Sequence, residues 1–187
     1  MKKLLILLGC ILLLLCGCTK KEERVVLDYQ NDFITYKADM SGYEGLTSSN
    51  HRFLGITVSE LKKAIDEDKS GIFVLSRKGC THCQLLMRYM NEAANELDVY
   101  IYYIDAESNT YPILGTDDYD VLLEVMYPIC EEIDGEVGLQ TPHFFTIVNG
   151  EYVDSKIGDK ANSVTPGDKE SERIVSEYKK MMQKFTA

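Results

Sequence analysis

From residue 53 onward the chain alternates between apolar runs of strand length and stretches whose apolar residues recur at helical spacing. Phe53-Leu54-Gly55-Ile56 reads as a short strand. Thr57-Val58-Ser59-Glu60 has the spacing of a capping box, and Leu61, Ala64 and Ile65 share one face of a helix predicted over 57–68. After Gly71, the run Ile72-Phe73-Val74-Leu75 is apolar on both faces, as a strand buried between two layers is. Leu86, Met90, Ala93 and Leu97 then mark one stripe of a helix over about 80–97.

The aromatic and β-branched run 99–104 predicts another strand. Leu122, Val125, Met126 and Ile129 would face inward on a helix from Asp117 to about Cys130. Pro128, which has no N–H to give, should bend or end it. Residues 143–148 and 151–156 flank Asn149-Gly150, the strongest short hairpin signal. Thr165, Pro166 and Asp168 occupy the N-cap, first and third positions of a last predicted helix. Its apolar stripe is Ile174, Tyr178, Met181 and Phe185.

The first fifty residues follow no such rhythm. Lys2 and Lys3 precede an apolar run over 4–15, too short to span a bilayer and built like the core of a signal peptide. Residues 19–24 read as a tether. Val25-Val26-Leu27 and the stretch 33–36 are candidate short strands, and 42–50 reads as loop.

A length of 187 residues with 45% hydrophobic content suits one domain with a real core. The formal charge of −10 includes Lys2 and Lys3, so a chain starting at Cys18 would carry about −12, which argues against nucleic acid as a partner. Cys10 and Cys16 fall in the leader, which leaves Cys18, Cys80, Cys83 and Cys130, too few for a disulfide scaffold. Cys130 reads as a small buried hydrophobe.

Cys80 and Cys83 stand where a strand passes through a polar turn into a helix. Unpaired backbone N–H groups and the positive end of the helix dipole favour a thiolate there. Zinc needs four ligands, and no second Cys-x-x-Cys or paired histidine motif accompanies this one. Haem attachment needs histidine directly after the second cysteine, and Gln84 is there instead. The spacing therefore favours redox chemistry with no metal and no cofactor.

Two resemblances extend this reading. Leu15-Cys16-Gly17-Cys18 resembles the lipobox of bacterial lipoproteins, which implies cleavage before Cys18 and lipidation of its sulfur. Leu7-Leu8-Gly9-Cys10 fits the same pattern but leaves an apolar core of only a few residues. The expected organisation is a signal peptide over 1–17, a tether and N-terminal extension over 18–52, and a folded domain over 53–187.

The order of elements, Cys80-Thr81-His82-Cys83 and Thr141-Pro142 together resemble the thioredoxin superfamily across about 53–185. The resemblance implies an α/β thioredoxin fold, with a central mixed sheet flanked by helices. It implies Cys80 as nucleophile, Cys83 as resolving cysteine, and Thr81 and His82 as residues that tune the potential. Thr141 and Pro142 would form a cis-proline loop that pairs with an extended substrate.

Three features depart from that pattern. Lys78-Gly79 replaces the aromatic residue often found before the first cysteine. Val74 replaces the usual buried acid, so deprotonation of Cys83 must use water or another group. The interval from Cys83 to Pro142 is longer than in a minimal thioredoxin.

The layout is similar to small thioredoxin-like proteins of Gram-positive bacteria, some labelled bacteriocin transport accessory proteins. The expected function is a thiol–disulfide oxidoreductase on the extracytoplasmic face of the bacterial cell membrane. It would be anchored through Cys18, act on protein or peptide thiols and disulfides, and have access to a redox partner in the same membrane. The alternative is a redox-inert binding lipoprotein that assists peptide export.

Overall fold

The computed structural model describes residues 32–47, 49–108, 113, 115–159 and 163–186. The leader over 1–17, Cys18 and the strand expected over 25–27 lie outside the described residues. Strand β1 (Tyr36–Lys37) comes first, followed by β2 (Phe53–Gly55), helix α1 (Val58–Asp66), β3 (Gly71–Ser76), α2 (Thr81–Leu97) and β4 (Ile101–Asp105). Helix α3 (Asp117–Met126), the small strands β5 (Glu132–Ile133) and β6 (Glu136–Val137), β7 (His143–Val148), β8 (Glu151–Ile157) and α4 (Lys169–Thr186) complete the order.

Six strands form one sheet in the order β1-β2-β4-β3-β7-β8. β2, β4 and β3 run parallel, β7 is antiparallel to β3, and β8 is antiparallel to β7. Parallel strands joined through helices and closed by an antiparallel hairpin, in this spatial order, make the thioredoxin fold expected from the sequence. β1 adds an antiparallel edge to β2.

Alternation along β3 sends Ile72, Val74 and Ser76 to one face of the sheet and Phe73 and Leu75 to the other. Ile72 and Val74 pack with Tyr103, Phe144, Leu86, Met90 and Ala93 of α2, and Ile174 and Tyr178 of α4. Phe73 and Leu75 pack with Ile104, Phe145, Leu61 and Ala64 of α1, and Leu122 and Met126 of α3. Each predicted helical stripe therefore meets the sheet.

The extension contributes to both cores. Phe33 joins the second, edge-on to Tyr102 with ring centroids 5.0 Å apart. Ala38, Met40, Tyr43 and Leu46 join the first. Burying each larger side chain contributes roughly 1.5–3 kcal/mol. The loop expected over 42–50 thus begins as a packed segment, and the strand expected over 33–36 is shifted to Tyr36–Lys37.

Several boundaries differ from expectation for local reasons. Thr57 is the α1 N-cap but makes no capping hydrogen bond; its hydroxyl meets that of Ser59 at 2.8 Å. Glu60 instead accepts the backbone N–H of Ile34 at 3.1 Å, so the extension takes the carboxylate the capping box would have used. Asp98 closes α2 in the left-handed region (φ 54°), and Val99 donates back to Ala94, which delays β4 to Ile101.

α3 stops at Met126, and Pro128 sits in the single 3-10 turn Tyr127–Ile129. The β5–β6 hairpin that follows turns at Asp134-Gly135, both at positive φ (54° and 88°). The cap of α4 is Asp168 rather than Thr165: its carboxylate accepts from Ser171 N–H at 2.8 Å and from Thr165 N–H at 3.1 Å. Asn149-Gly150 turns the β7–β8 hairpin as expected, with a bulge at the Thr146/Ile147 step.

Candidate active site

The carboxyl end of β3 delivers the chain to a turn, Arg77-Lys78-Gly79, that is pinned at both sides. Cys80 N–H donates to the Arg77 carbonyl at 3.3 Å, and Gly79 N–H donates to Glu107 at 3.1 Å. Cys80 is itself the N-cap of α2: its sulfur accepts the Cys83 N–H at 3.3 Å. The side chain thus occupies the place where a hydroxyl or carboxylate would normally satisfy an orphaned amide. Cys80 is half-buried, and Cys83, one turn along, is fully buried. Both are present as free thiols.

Burial pushes the Cys80 thiol up in pKa. Hydrogen bonds from the Cys83 thiol and amide, from Thr141 and from the His82 amide outweigh it, so the net shift is downward. Cys83 moves the other way, raised by burial and by the neighbouring Cys80 sulfur. One thiol is eased towards ionisation while its buried neighbour is held protonated.

Thr141 and Pro142 lie directly against this pair. The Thr141–Pro142 peptide is cis, Pro142 is buried, and its carbonyl accepts Gly158 N–H at 2.8 Å. The Thr141 carbonyl lies 3.3 Å from Cys80 Sγ. The structure therefore brings together Cys80, Cys83, Thr141 and Pro142, with Thr81 opening the helix beside them. At His82 the backbone amide favours the Cys80 thiolate, while Nδ1 is buried with no hydrogen-bond partner.

A cleft of about 890 Å³ is lined by His82, Gln140 and Thr141, neighbours of the cysteine pair and the cis-proline, and by Lys156, Asp159 and Arg173. Its far wall is fixed by ion pairs: Lys156 and Arg173 each contact both Asp159 and Glu177 at 2.7–2.8 Å. The cleft runs past Gln140 and Thr141, the residues that lead into the cis-proline. Behind the loop, His143 is fully buried with neither ring nitrogen partnered, and burial lowers its pKa to about 4.

The N-terminal extension straps the start of α2. Gln84, the residue after Cys83, donates to the carbonyls of Gly42 (2.8 Å) and Lys78 (2.7 Å) and accepts from Glu44 N–H (3.2 Å). Asp39 pairs with Lys78 at 2.7 Å, and Lys78 with Ser41 holds that carboxyl well below the usual range. Lys78 packs so closely on Gly42 that a Cβ there would meet its Cδ at 2.6 Å. Tyr43 reaches furthest inward, with its hydroxyl 3.0 Å from both Ser76 Oγ and Tyr103 Oη.

No protein-family model and no curated protein matches the chain. Among solved structures it is similar to thioredoxin from Trypanosoma brucei brucei, at 15% identity and TM-score 0.42, over 74% of this chain and 97% of that one. It is also similar to thioredoxin O2 from Arabidopsis thaliana in the oxidized state, at 17% identity and TM-score 0.43, over 72% of this chain and 96% of that one. The topology and the placement of the cysteine pair define the chain as a thioredoxin-fold protein with a dithiol at a helix start.

The groups that meet around the cysteine pair and its strap, Tyr43, Ser76, Gln84 and Tyr103, were not singled out by the sequence reading. Ser76 was within reach: it lies two positions beyond Val74, hence on the same strand face. Tyr43 carries no local signal, because its partners lie 33 and 60 residues away.

Proposed function

We propose that this chain is a thiol–disulfide oxidoreductase that cycles Cys80 and Cys83 between dithiol and disulfide by exchange with protein or peptide substrates. Cys80 attacks a substrate disulfide, and Cys83 then resolves the mixed disulfide. The observation that carries the reading is the Cys80 sulfur itself. It is half-exposed, accepts the Cys83 amide at 3.3 Å, and lies 3.3 Å from the carbonyl of Thr141, which lines the cleft. The lipobox-like leader supports an anchor on Cys18 and a position outside the cytoplasm, where disulfides persist. Mass spectrometry of the membrane fraction is expected to find a lipidated Cys18, and an unmodified one would overturn that anchor.

Val74, fully buried where the family resemblance expects an acid, favours the rival reading of a redox-inert binding lipoprotein. Insulin reduction and oxidation of reduced ribonuclease, with Cys80→Ser as control, separate the two. Equal behaviour of wild type and Cys80→Ser in both assays would sink the enzyme. The reduction potential of the pair then gives direction: about −120 mV marks an oxidant and about −270 mV a reductant.

A further inference from the structure

Val74 leaves the resolving thiol without a carboxylate on β3, yet Cys83 is not isolated from polar groups. The Ser76 side chain, on the same face of β3, lies close enough to the Cys83 thiol to favour its ionisation. Tyr43 then bridges Ser76 Oγ and Tyr103 Oη at 3.0 Å each. Tyr103 in turn lies on the same face of β4 as Asp105, two residues along, and favours the ionised form of its carboxyl. Ser76, Tyr43 and Tyr103 are buried, while Asp105 emerges half-exposed at the end of its strand. The sequence of groups is a thiol, three hydroxyls and a carboxylate, and every hydroxyl can donate and accept at once.

We propose that this chain of hydroxyls is a proton relay between Cys83 and Asp105, completed by Tyr43 from the N-terminal strap. The proposal rests on the redox reading of Cys80 and Cys83. In the mixed disulfide, Cys83 Sγ bonds to Cys80 Sγ as the bond from Cys80 to the substrate sulfur breaks. The electron pair of the broken bond leaves on the substrate sulfur, which takes a proton from solvent. The Cys83 proton passes to Ser76 Oγ, and successive hydroxyl protons move to Tyr43, Tyr103 and Asp105. One proton in total reaches the carboxylate.

In the oxidising direction the same chain returns a proton to Cys83 as it leaves. Burial raises the pKa of both tyrosines, so they stay neutral and only pass the proton on. Burial also raises the Asp105 carboxyl, which makes it a better acceptor than a surface carboxylate. Lys78 and Glu107 face Asp105, and Cys80 and Tyr178 face Cys83; the test substitutions leave all four in place.

The test uses an aromatic disulfide whose thiolate absorbs, with the lipidated chain carrying Cys130→Ala so that only the pair reacts. Attack by Cys80 gives a first release, and resolution by Cys83 gives a second. Tyr43→Phe keeps the ring and removes the bridging hydroxyl. It is expected to slow the second release about a hundredfold, the lower end of what a positioned proton acceptor contributes, and to raise its pH midpoint, with the first release unaffected. Asp105→Asn, at the half-exposed end, is expected to do the same. A second release at the wild-type rate in both variants overturns the relay, as does equal slowing of both releases, which marks a packing role. A wild type with no first release overturns the redox reading, and the relay with it.

Discussion

The backbone N–H of Cys83 donates to the sulfur of Cys80 at 3.3 Å, so the second cysteine of the pair favours ionisation of the first. Because this hydrogen bond joins others that favour the thiolate, Cys80 should titrate below the value of about 8.5 expected of an unperturbed thiol. The rate of alkylation by iodoacetamide as a function of pH measures this. Cys80 is expected to react with a lowered midpoint while buried Cys83 stays unmodified until the chain unfolds. A midpoint at or above the unperturbed value would contradict this account of the site.

His82 tests which part of a residue acts. Its amide hydrogen-bonds Cys80, whereas its Nδ1 has no partner. His82→Ala keeps the amide and should leave the Cys80 titration in place. His82→Pro deletes the amide at a helix position that tolerates proline, and should raise the Cys80 pKa and lower the reduction potential. Equal shifts in the two variants would return the effect to the imidazole.

What the sequence made legible follows from range. β3, α2 and the Asn149-Gly150 hairpin were readable because their signals lie in periodicity, caps and turn residues within a few positions of one another. The small β5–β6 hairpin carried a signal of the same kind, Asp134-Gly135, that went unused. Glu60 shows the limit. Its spacing from Thr57 suggested a capping box, but Ile34 on a distant segment supplied a competing donor. The cysteine pair at a helix start and the cis-proline loop were legible because motif spacing encodes them. The groups around Cys83 come from three separated segments, and only the folded sheet places Tyr43 between Ser76 and Tyr103.

Gln84 is the clasp of the N-terminal strap, with hydrogen bonds to the backbone of Gly42, Glu44 and Lys78. Gln84→Ala leaves those backbone groups without their partner. The variant should lose about 1–3 kcal/mol of stability. Hydrogen exchange is the more specific readout: the Glu44 amide, which donates to Gln84, is expected to lose protection while the Cys83 amide keeps its own. Unchanged exchange at Glu44 would mean that the strap is held by its other ties: the Asp39–Lys78 pair, the Tyr43 hydroxyl and the packing of Leu46.

His143 gives the fold a pH dependence separate from the cysteines. It follows Pro142, is fully buried against Phe145 and Leu75, and has both ring nitrogens unpartnered. Burial lowers its pKa from 6.5 to about 4. Below pH 6.5 the unfolded chain gains a proton at this ring, and the folded chain does not until about pH 4, so stability falls as pH drops through that window. The shift corresponds to roughly 3 kcal/mol, and full burial means solvent screening does little to reduce it. His143→Leu removes the titration while filling the space with apolar atoms. Urea unfolding at about pH 7.5 and about pH 4.5 is expected to show the wild type losing more stability on acidification than the variant, by that amount. The same loss in both proteins would show that His143 does not set the acid sensitivity.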